Sequence, residues 1–356
     1  MTSNVSKLSR QPEASISQRL MQRWFQGLSR VPLLVHVAWT VVLVIGALAV
    51  AACQDEENAS ADRRDTRLVF VSHGQSSDPF WAVVANGVKD AAADMGVQVE
   101  YQAPSSFDLA RMGQLIDAAR DSGPSGLLVS IPDAAALGDS LQAVVTEGIP
   151  VLSVNSGDDA WQSLGLLGHI GQTEYEAGFA GGQRLAEAGA TKVLCVNHEI
   201  GNVSLKVRCR GLDDALQQAG GTTTQLAVDL ADQDGAQQLV TEALAADADI
   251  DGILTLGPGG AAPTTAALGA TGKLGTMLFG TFDLEANVLR AVRDGDMLFA
   301  IDQLPYMQGY LAVTLMVKYL ETGAVPGGGQ LIRTGPTFVT QETAEAAIRL
   351  AEQGRR

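Results

Sequence analysis

Short apolar runs alternate with amphipathic helical segments along most of this 356-residue chain. The first run, residues 68–71, is apolar throughout, which is typical of a strand buried on both faces. Asp78 then offers a helix N-cap, Pro79 suits the first helical position, and Gly96 ends the apolar periodicity that follows. Further strands are predicted at 97–101, 127–131, 151–154, 193–196, 253–256, 277–279 and 298–301, and further helices at 109–121, 136–147, 174–188, 205–219 and 234–246. This alternation predicts parallel sheets covered by helices on both faces.

The number of predicted strands is too large for one compact sheet, because a single hydrophobic core stops growing at about 250–300 residues. The predicted fold class is therefore α/β, with two doubly wound parallel-sheet lobes. Ligands of such sheets bind where strands end at their carboxyl edges. The loops at these edges are rich in amides, hydroxyls and carboxylates. Such groups suit a neutral polyhydroxy ligand, whose hydroxyls both donate and accept hydrogen bonds.

The first 52 residues differ in charge from the rest of the chain. They carry five basic residues and one acid, Glu13, and end in an uncharged, largely apolar run from 31 to 52. A basic segment followed by an apolar one is the layout of a secretory signal. The run closes in Val50-Ala51-Ala52-Cys53, which resembles the bacterial lipoprotein box, whose cysteine becomes the lipidated first residue of the mature chain. A retained helix is the alternative, because the run is long enough to cross a bilayer core of about 30 Å.

Residues 53–65 are polar and acidic and show no apolar periodicity, so we expect a tether that holds the body off the membrane. Both interpretations of the apolar run place the body outside the cytoplasm, since the positive flank stays inside.

The charge and the motifs of the chain exclude several functions. It has 24 Lys plus Arg against 40 Asp plus Glu, and this net charge of −16 argues against a nucleic-acid partner. It contains no phosphate-binding loop ending in Gly-Lys, no His-Glu-x-x-His, no Cys-x-x-Cys and no Gly-x-Ser-x-Gly. Four histidines leave no evident metal cluster. We therefore expect no enzyme, no metal and no cofactor.

Three motifs follow predicted strands: Ser77-Asp78-Pro79-Phe80-Trp81, Thr281-Phe282-Asp283 and Ile301-Asp302-Gln303-Leu304-Pro305. In this order they resemble those of the periplasmic sugar-binding proteins of the ribose-binding type, the solute receptors of ABC importers. The resemblance covers nearly all of residues 66–345. It implies a type I periplasmic binding protein fold, with a sugar held in the cleft between two lobes that are joined by a three-segment hinge.

The resemblance also implies the domain boundaries. Its crossing segments fall near Gly171, Gln303 and Arg333. The expected parts are a signal segment at 1–52, the tether at 53–65, a first lobe of 66–171 plus 303–332, a second lobe of 172–302 plus 333–345, and a C-terminal tail at 346–356.

The family's ligand positions map onto individual residues. Asp78, Phe80 and Trp81 stand at the family's first helix start, where an aromatic face covers the apolar face of a sugar ring. Alternatively, the two rings belong to the core and Asp78 only caps the helix. Arg208 fits the family pattern Arg-x-x-Gly-aromatic, with leucine in place of the aromatic, and implies charge-assisted hydrogen bonds to the sugar. The alternative is an ordinary surface arginine.

Four further positions follow from the same resemblance. Asp283 matches a carboxylate at the end of a second-lobe strand, and Gln303 matches the hinge amide. Asn155 stands where ribose binders have an aspartate, and Gly257 stands where they have an asparagine. These departures remove a charge and a side chain, and they argue against ribose itself.

Polar residues at other strand ends are candidates to replace the lost contacts. They are His73, His198 and Glu199, for which a structural role is the alternative.

Two cysteines remain once Cys53 is lipidated. Outside the cytoplasm Cys195 and Cys209 can form a disulfide, which would brace the loop from 197 to 208. The alternative is a pair of reduced, buried thiols.

These features together predict an exported, lipid-anchored binding protein at the periplasm or cell surface. We expect a monomer that captures a neutral sugar or sugar-like polyol and delivers it to an ABC permease and its ATPase. One alternative is a sensor that presents a ligand, such as a quorum-signal furanose, to a membrane receptor. Another is a sugar-responsive repressor, which shares the two-lobe core but requires an N-terminal helix-turn-helix in place of the apolar run.

Overall fold

The computed structural model describes residues 63–74, 78–229 and 231–356, apart from the side chain of Pro326. These residues belong to one compact unit, Asp62–Arg356. The predicted signal segment, Cys53 and most of the tether lie outside the described residues.

The described strands and helices alternate as the sequence predicts. The strands are β1 Arg67–Val71, β2 Gln98–Gln102, β3 Gly126–Val129, β4 Val151–Asn155, β5 Gly168–Gly171, β6 Lys192–Asn197, β7 Thr222–Ala227, β8 Gly252–Thr255, β9 Leu278–Phe282, β10 Phe299–Asp302, β11 Ile332–Arg333 and β12 Thr337–Val339. The helices are α1 Pro79–Met95, α2 Leu109–Asp121, α3 Ala134–Thr146, α4 Glu174–Glu187, α5 Val203–Gln218, α6 Gln233–Ala246, α7 Pro258–Ala270, α8 Ala286–Asp294, α9 Pro305–Thr322 and α10 Gln341–Ala351.

The strands form two six-stranded sheets. The first has the order β11-β5-β4-β3-β1-β2, and all its pairings are parallel. The second has the order β12-β10-β9-β8-β6-β7, and it is parallel except for β12. The predicted fold class, two doubly wound α/β lobes of the type I periplasmic binding protein fold, is confirmed.

Five helices start at an Asp or Asn side chain that caps them. Asp78 begins α1 by accepting a hydrogen bond from the N–H of Phe80, and Asp108 accepts one from Arg111 at the start of α2. Asp133, Asn202 and Asp232 act in the same way for α3, α5 and α6. These side chains satisfy N–H groups that have no partner within the helix, which fixes the point where each strand-end loop becomes a helix.

Both faces of each sheet carry an apolar core. Along β1, Leu68 and Phe70 pack into one cluster, while Val69 and Val71 pack into another on the opposite face. The second sheet separates two further clusters in the same way. Burial on both faces explains why these strands are continuous apolar runs.

Four strands were not predicted: β5, β7, β11 and β12. The two longest of them are β5 and β7. β5 reads Gly-His-Ile-Gly and has a single large apolar residue, yet it is fully buried between β4 and β11. β7 lies at an edge of the second sheet and is mostly polar and exposed. Pairing with neighbouring strands places both segments in a sheet, and that information is not local to either sequence.

The chain passes between the two sheets three times, after β5, after β10 and after β11. The three connections lie side by side. The N–H of Thr334 donates to Gly171 O at 2.9 Å, and Gln308 Nε2 donates to Gln303 O at 3.0 Å and to Thr334 Oγ1 at 3.2 Å. Both lobes therefore meet at one bundle of connecting segments.

Candidate ligand-binding site

A cavity of about 500 Å³ opens where strands of both sheets end. Its wall includes His73, Asp78, Phe80, Trp81, Asn155 and Ser156 from the first lobe, His198, Glu199, Asn202, Arg208, Asp283 and Glu285 from the second, and Gln303 from a connecting segment. The structure thus brings ten of the eleven candidate ligand residues to one cavity. The eleventh, Gly257, lies behind the ring of His198. That these residues bind a ligand remains a prediction.

Three side chains of the cavity wall are joined by hydrogen bonds. Asn155 Nδ2 donates to Gln303 Oε1 at 3.0 Å, and Gln303 Nε2 donates to Asp283 Oδ1 at 2.6 Å. Asn155 and Asp283 both have left-handed backbone conformations, with φ values of 69° and 64°. Asparagine and aspartate tolerate this conformation better than most residues do, so these residue types suit the sharp turns after β4 and β9.

Arg208 is buried and already paired. Its Nη2 donates to Glu174 Oε1 at 3.1 Å, its Nε donates to the other oxygen of that carboxylate, and its Nη1 donates to Leu256 O at 3.0 Å. Nη1 also lies 4.0 Å from Asp283 Oδ2, and the guanidinium stacks 4.4 Å from the ring centre of Phe282. Arg208 is therefore not a surface arginine; it is a fixed, desolvated donor on the cavity wall.

Glu174 was not predicted as part of this site. It lies in the first turn of α4, directly after the first connection between the lobes, and its side chain is 1 % exposed. An acid in the first turn of a helix is common because it complements the helix dipole, so the sequence alone did not mark this one. Its contact with Arg208 couples the connecting segment to the cavity wall.

His73 joins the two lobes across the cavity. Its N–H donates to Ser130 Oγ at 2.8 Å, its Nδ1 lies 2.8 Å from the same hydroxyl, and its Nε2 lies 4.0 Å from Glu199 Oε2. Burial, aided by the positive charge of Arg208, lowers the pKa of His73 to about 3. The ring is therefore neutral at pH 7. The neutral ring has one donor nitrogen and one acceptor nitrogen, with Nδ1 at the Ser130 hydroxyl and Nε2 on the side of Glu199.

The carboxyl groups of the wall are strongly desolvated. Burial raises the pKa of Asp283 to about 7 against the opposing effect of Arg208, and it raises the pKa of Glu199 to about 7. Burial also raises the pKa of Asp78. These carboxyl groups have lost hydrogen bonds to water. Ligand hydroxyls that replace those hydrogen bonds would therefore stabilise them.

The aromatic residues at the start of α1 belong to the core of the first lobe and also line the cavity. Phe80 and Trp81 are only 6 % and 4 % exposed and pack into the core of the first lobe, yet both reach the cavity wall. Asp78 caps the helix and also lines the cavity. Core packing and a place on the wall are therefore compatible for all three.

A disulfide joins Cys195 and Cys209, with an S–S distance of 2.06 Å. It links β6 to α5. The segment between the two cysteines carries His198, Glu199 and Arg208. The bridge therefore closes a loop that supplies much of the second-lobe wall.

The lobes also touch through a backbone hydrogen bond. The N–H of Val203, the first residue of α5, donates to Pro132 O at 3.0 Å. Pro132 lies in the first lobe, just before α3. This bond holds the loop that carries Glu199 against the opposite lobe.

Residues 63–74, 78–229 and 231–356 contain no group of three or more His, Cys, Asp or Glu side chains placed to hold a metal ion. Within the same residues, no helix combines the length and apolar character needed to cross a bilayer.

Two α/β lobes, three connecting segments and a polar cavity between the lobes define a two-lobe solute-binding protein. Residues 68–324 match the family model described as "Periplasmic binding protein domain", and the chain belongs to this family. It is therefore a member of a family that binds ligands without turning them over, which agrees with the expectation of no enzyme.

Several relatives resemble the chain over most of its length. A carbohydrate transporter from Acidothermus cellulolyticus, solved in complex with myo-inositol, is 34 % identical, with a TM-score of 0.77 over 82 % of this chain and 99 % of that one. A sugar-binding ABC transporter protein from Legionella pneumophila is 25 % identical, with a TM-score of 0.71 over 76 % of this chain and 99 % of that one. The xylose/arabinose-binding protein XylF of Sulfolobus acidocaldarius is 25 % identical over 296 residues, which are 78 % of this chain and 72 % of the relative.

Proposed function

We propose that this protein captures a neutral sugar or sugar-like polyol, cyclic polyols included, outside the cytoplasm and delivers it to an ABC importer. The observation that carries the proposal is the cavity wall, on which Gln303 links an amide of one lobe to a carboxylate of the other. A ring with several hydroxyls both donates to carboxylates and accepts from amide and guanidinium groups. The ligands of two relatives, myo-inositol in one and xylose or arabinose in the other, belong to this chemical class.

The proposed mechanism is closure of the lobes on the ligand. The first lobe, 66–171 plus 303–332, contributes Asp78, Asn155 and the aromatic pair, and the second, 172–302 plus 333–345, contributes Arg208 and Asp283. Only a closed arrangement lets one ligand reach both sets, so binding shifts the population of conformations toward closure. The segments near Gly171, Gln303 and Arg333 are the proposed hinge.

The same proposal assigns residues 1–52 to export and Cys53 to a lipid anchor. The observation behind it is the basic, then apolar, then Val-Ala-Ala-Cys order of the sequence. Metabolic labelling with a fatty acid tests this assignment. The parent protein is expected to carry the label in the membrane fraction, and Cys53→Ala is expected to lose it. Equal labelling of both would contradict the anchor.

A thermal-shift screen of the purified protein tests the ligand class. The probes are myo-inositol, D-xylose, L-arabinose and D-ribose. A ligand present at 100 times its dissociation constant stabilises the folded state by about 2.7 kcal/mol, which gives a clear rise in Tm. We expect at least one probe to raise Tm and D-ribose to act more weakly than the best of them. No shift with any probe would contradict the proposed ligand class.

A further inference from the structure

The ring of His198 occupies the space in front of Gly257. His198 follows β6 and Gly257 closes the turn after β8, and these two strands are neighbours in the second sheet. A Cβ atom built on Gly257 would lie 2.6 Å from His198 Cε1 and 3.0 Å from Nε2. Any side chain at position 257 would therefore displace the imidazole.

The backbone does not require glycine at this position. The φ of Gly257 is 170°, an extended conformation that any residue adopts. By contrast, Gly260, three residues later in α7, has room for a Cβ at ordinary contact distances of 3.5 Å or more. The constraint on residue 257 thus comes from the imidazole.

The imidazole itself is suited to a polar ligand. Burial, with the positive charge of Arg208, lowers the pKa of His198 to about 3, so the ring is neutral and offers one donor and one acceptor nitrogen. Nδ1 is enclosed and has no hydrogen-bond partner among the described residues. The ring lies on the cavity wall beside Glu199 and Arg208. Nε2 is therefore the nitrogen that remains for a ligand hydroxyl.

We propose that Gly257 is a specificity-determining residue that acts through His198: its missing side chain seats the imidazole, and the imidazole hydrogen-bonds a ligand hydroxyl. The proposal rests on the proposed function, because the ligand is the polyol of that same cavity. It gives Gly257 a positioning role in place of direct ligand contact. It also accounts for a glycine at a place where the family resemblance puts an asparagine.

The first test needs no ligand. Nuclear magnetic resonance follows the ring nitrogens of His198 with pH in the parent, in Gly257→Ala and in the control Gly260→Ala. The His198 ring is expected to stay neutral down to about pH 3 in the parent and the control. In Gly257→Ala the displaced ring is expected to titrate closer to the ordinary value of about 6.5. His73 and His169 serve as internal references. An unchanged His198 titration in Gly257→Ala would overturn the proposed seating.

The second test is a double-mutant cycle with calorimetric titration of the probe that the parent binds most tightly among myo-inositol, D-xylose, L-arabinose and D-ribose. Gly257→Ala and His198→Ala are each expected to weaken binding about tenfold, roughly the loss of one hydrogen bond. The double variant is expected to bind no more weakly than His198→Ala alone, because Gly257 acts only through that ring.

Additive losses in the cycle would overturn the proposal, since residue 257 would then act independently of His198. A parent that binds none of the four probes would instead overturn the proposed function. In that case the ring titration still decides whether Gly257 seats His198.

Discussion

Asn155 and Asp283 end strands of different sheets, and both bond to one side chain, that of Gln303. Asn155 donates to Gln303 Oε1 at 3.0 Å, and Asp283 accepts from Gln303 Nε2 at 2.6 Å. Gln303 lies on a connection between the lobes, so the two strand ends share a partner that belongs to neither sheet. A closing motion of the lobes would therefore change the hydrogen bonds of the Gln303 amide.

Removing the Gln303 amide leaves Asn155 and Asp283 without this partner in a buried place. Gln303→Leu is close in size and is expected to lower the free energy of unfolding by about 1–3 kcal/mol, the usual effect of orphaned buried polar groups. Urea denaturation measures the change. Gln330→Leu, at an exposed position, is the control and is expected to change stability by less than about 0.5 kcal/mol. Equal effects of the two substitutions would contradict the structural role of the shared amide.

Breaking the buried ion pair of Glu174 and Arg208 is expected to lower the free energy of unfolding far more than breaking a surface ion pair. Glu174→Gln leaves a buried guanidinium without its nearest counter-charge, and we expect a loss of about 3–5 kcal/mol in urea denaturation. The control is Glu176→Gln, two residues after Glu174. This substitution breaks an exposed ion pair with Arg333. It is expected to cost less than about 1 kcal/mol. A small effect of Glu174→Gln would mean that Arg208 is not held as the structure shows.

Stability is expected to depend on pH through Asp283. Its pKa is raised to about 7 by burial, so the folded protein holds this proton more tightly than the unfolded chain does. The stability that the proton confers is present below about pH 4 and is lost as the pH rises to about 7. Relative to Asp283→Asn, which cannot titrate, the parent should lose stability across this range, by up to about 1.4 kcal/mol per pH unit. Parallel stability curves for the two proteins would refute the raised pKa.

The disulfide between Cys195 and Cys209 closes a loop with a sequence separation of 14. Intact mass is expected to show two hydrogens fewer than the dithiol form. Replacing both cysteines by alanine is expected to cost about 3 kcal/mol of stability on the chain-entropy model. Two thiols that react with an alkylating reagent before any reductant is added would contradict the bridge.

Much of this fold could be predicted because its signals are local. The helix Leu109–Asp121 was predicted with its observed bounds, and the structure shows that Asp108 caps its start. The strand β5 was missed because its four residues gain their burial only from β4 and β11. Parallel sheets assemble from distant segments, so a short central strand carries little signal of its own.

Some residues of the candidate site could be predicted from local sequence signals, and others could not. The strand-end motifs pointed to the residues of the cavity wall, because carboxyl ends of parallel strands meet at one edge. Glu174 was missed, since its acid at a helix start has an ordinary local explanation. Gly257 was predicted as a ligand position, but the structure places it behind His198. Tertiary packing decides which side chain fills the space beside a glycine. The sequence therefore did not show that the His198 ring occupies the space beside Gly257.

Titration calorimetry of the parent, Asp283→Ala and Asp249→Ala against myo-inositol, D-xylose, L-arabinose and D-ribose tests the central claim most directly. Asp249 is an exposed aspartate in the turn before β8 and serves as the control. We expect the parent to bind at least one of these polyols, Asp249→Ala to bind it equally well, and Asp283→Ala to bind it at least tenfold more weakly because a buried acceptor is lost. If Asp283→Ala bound that ligand as tightly as the parent, the cavity between the lobes would not be the binding site.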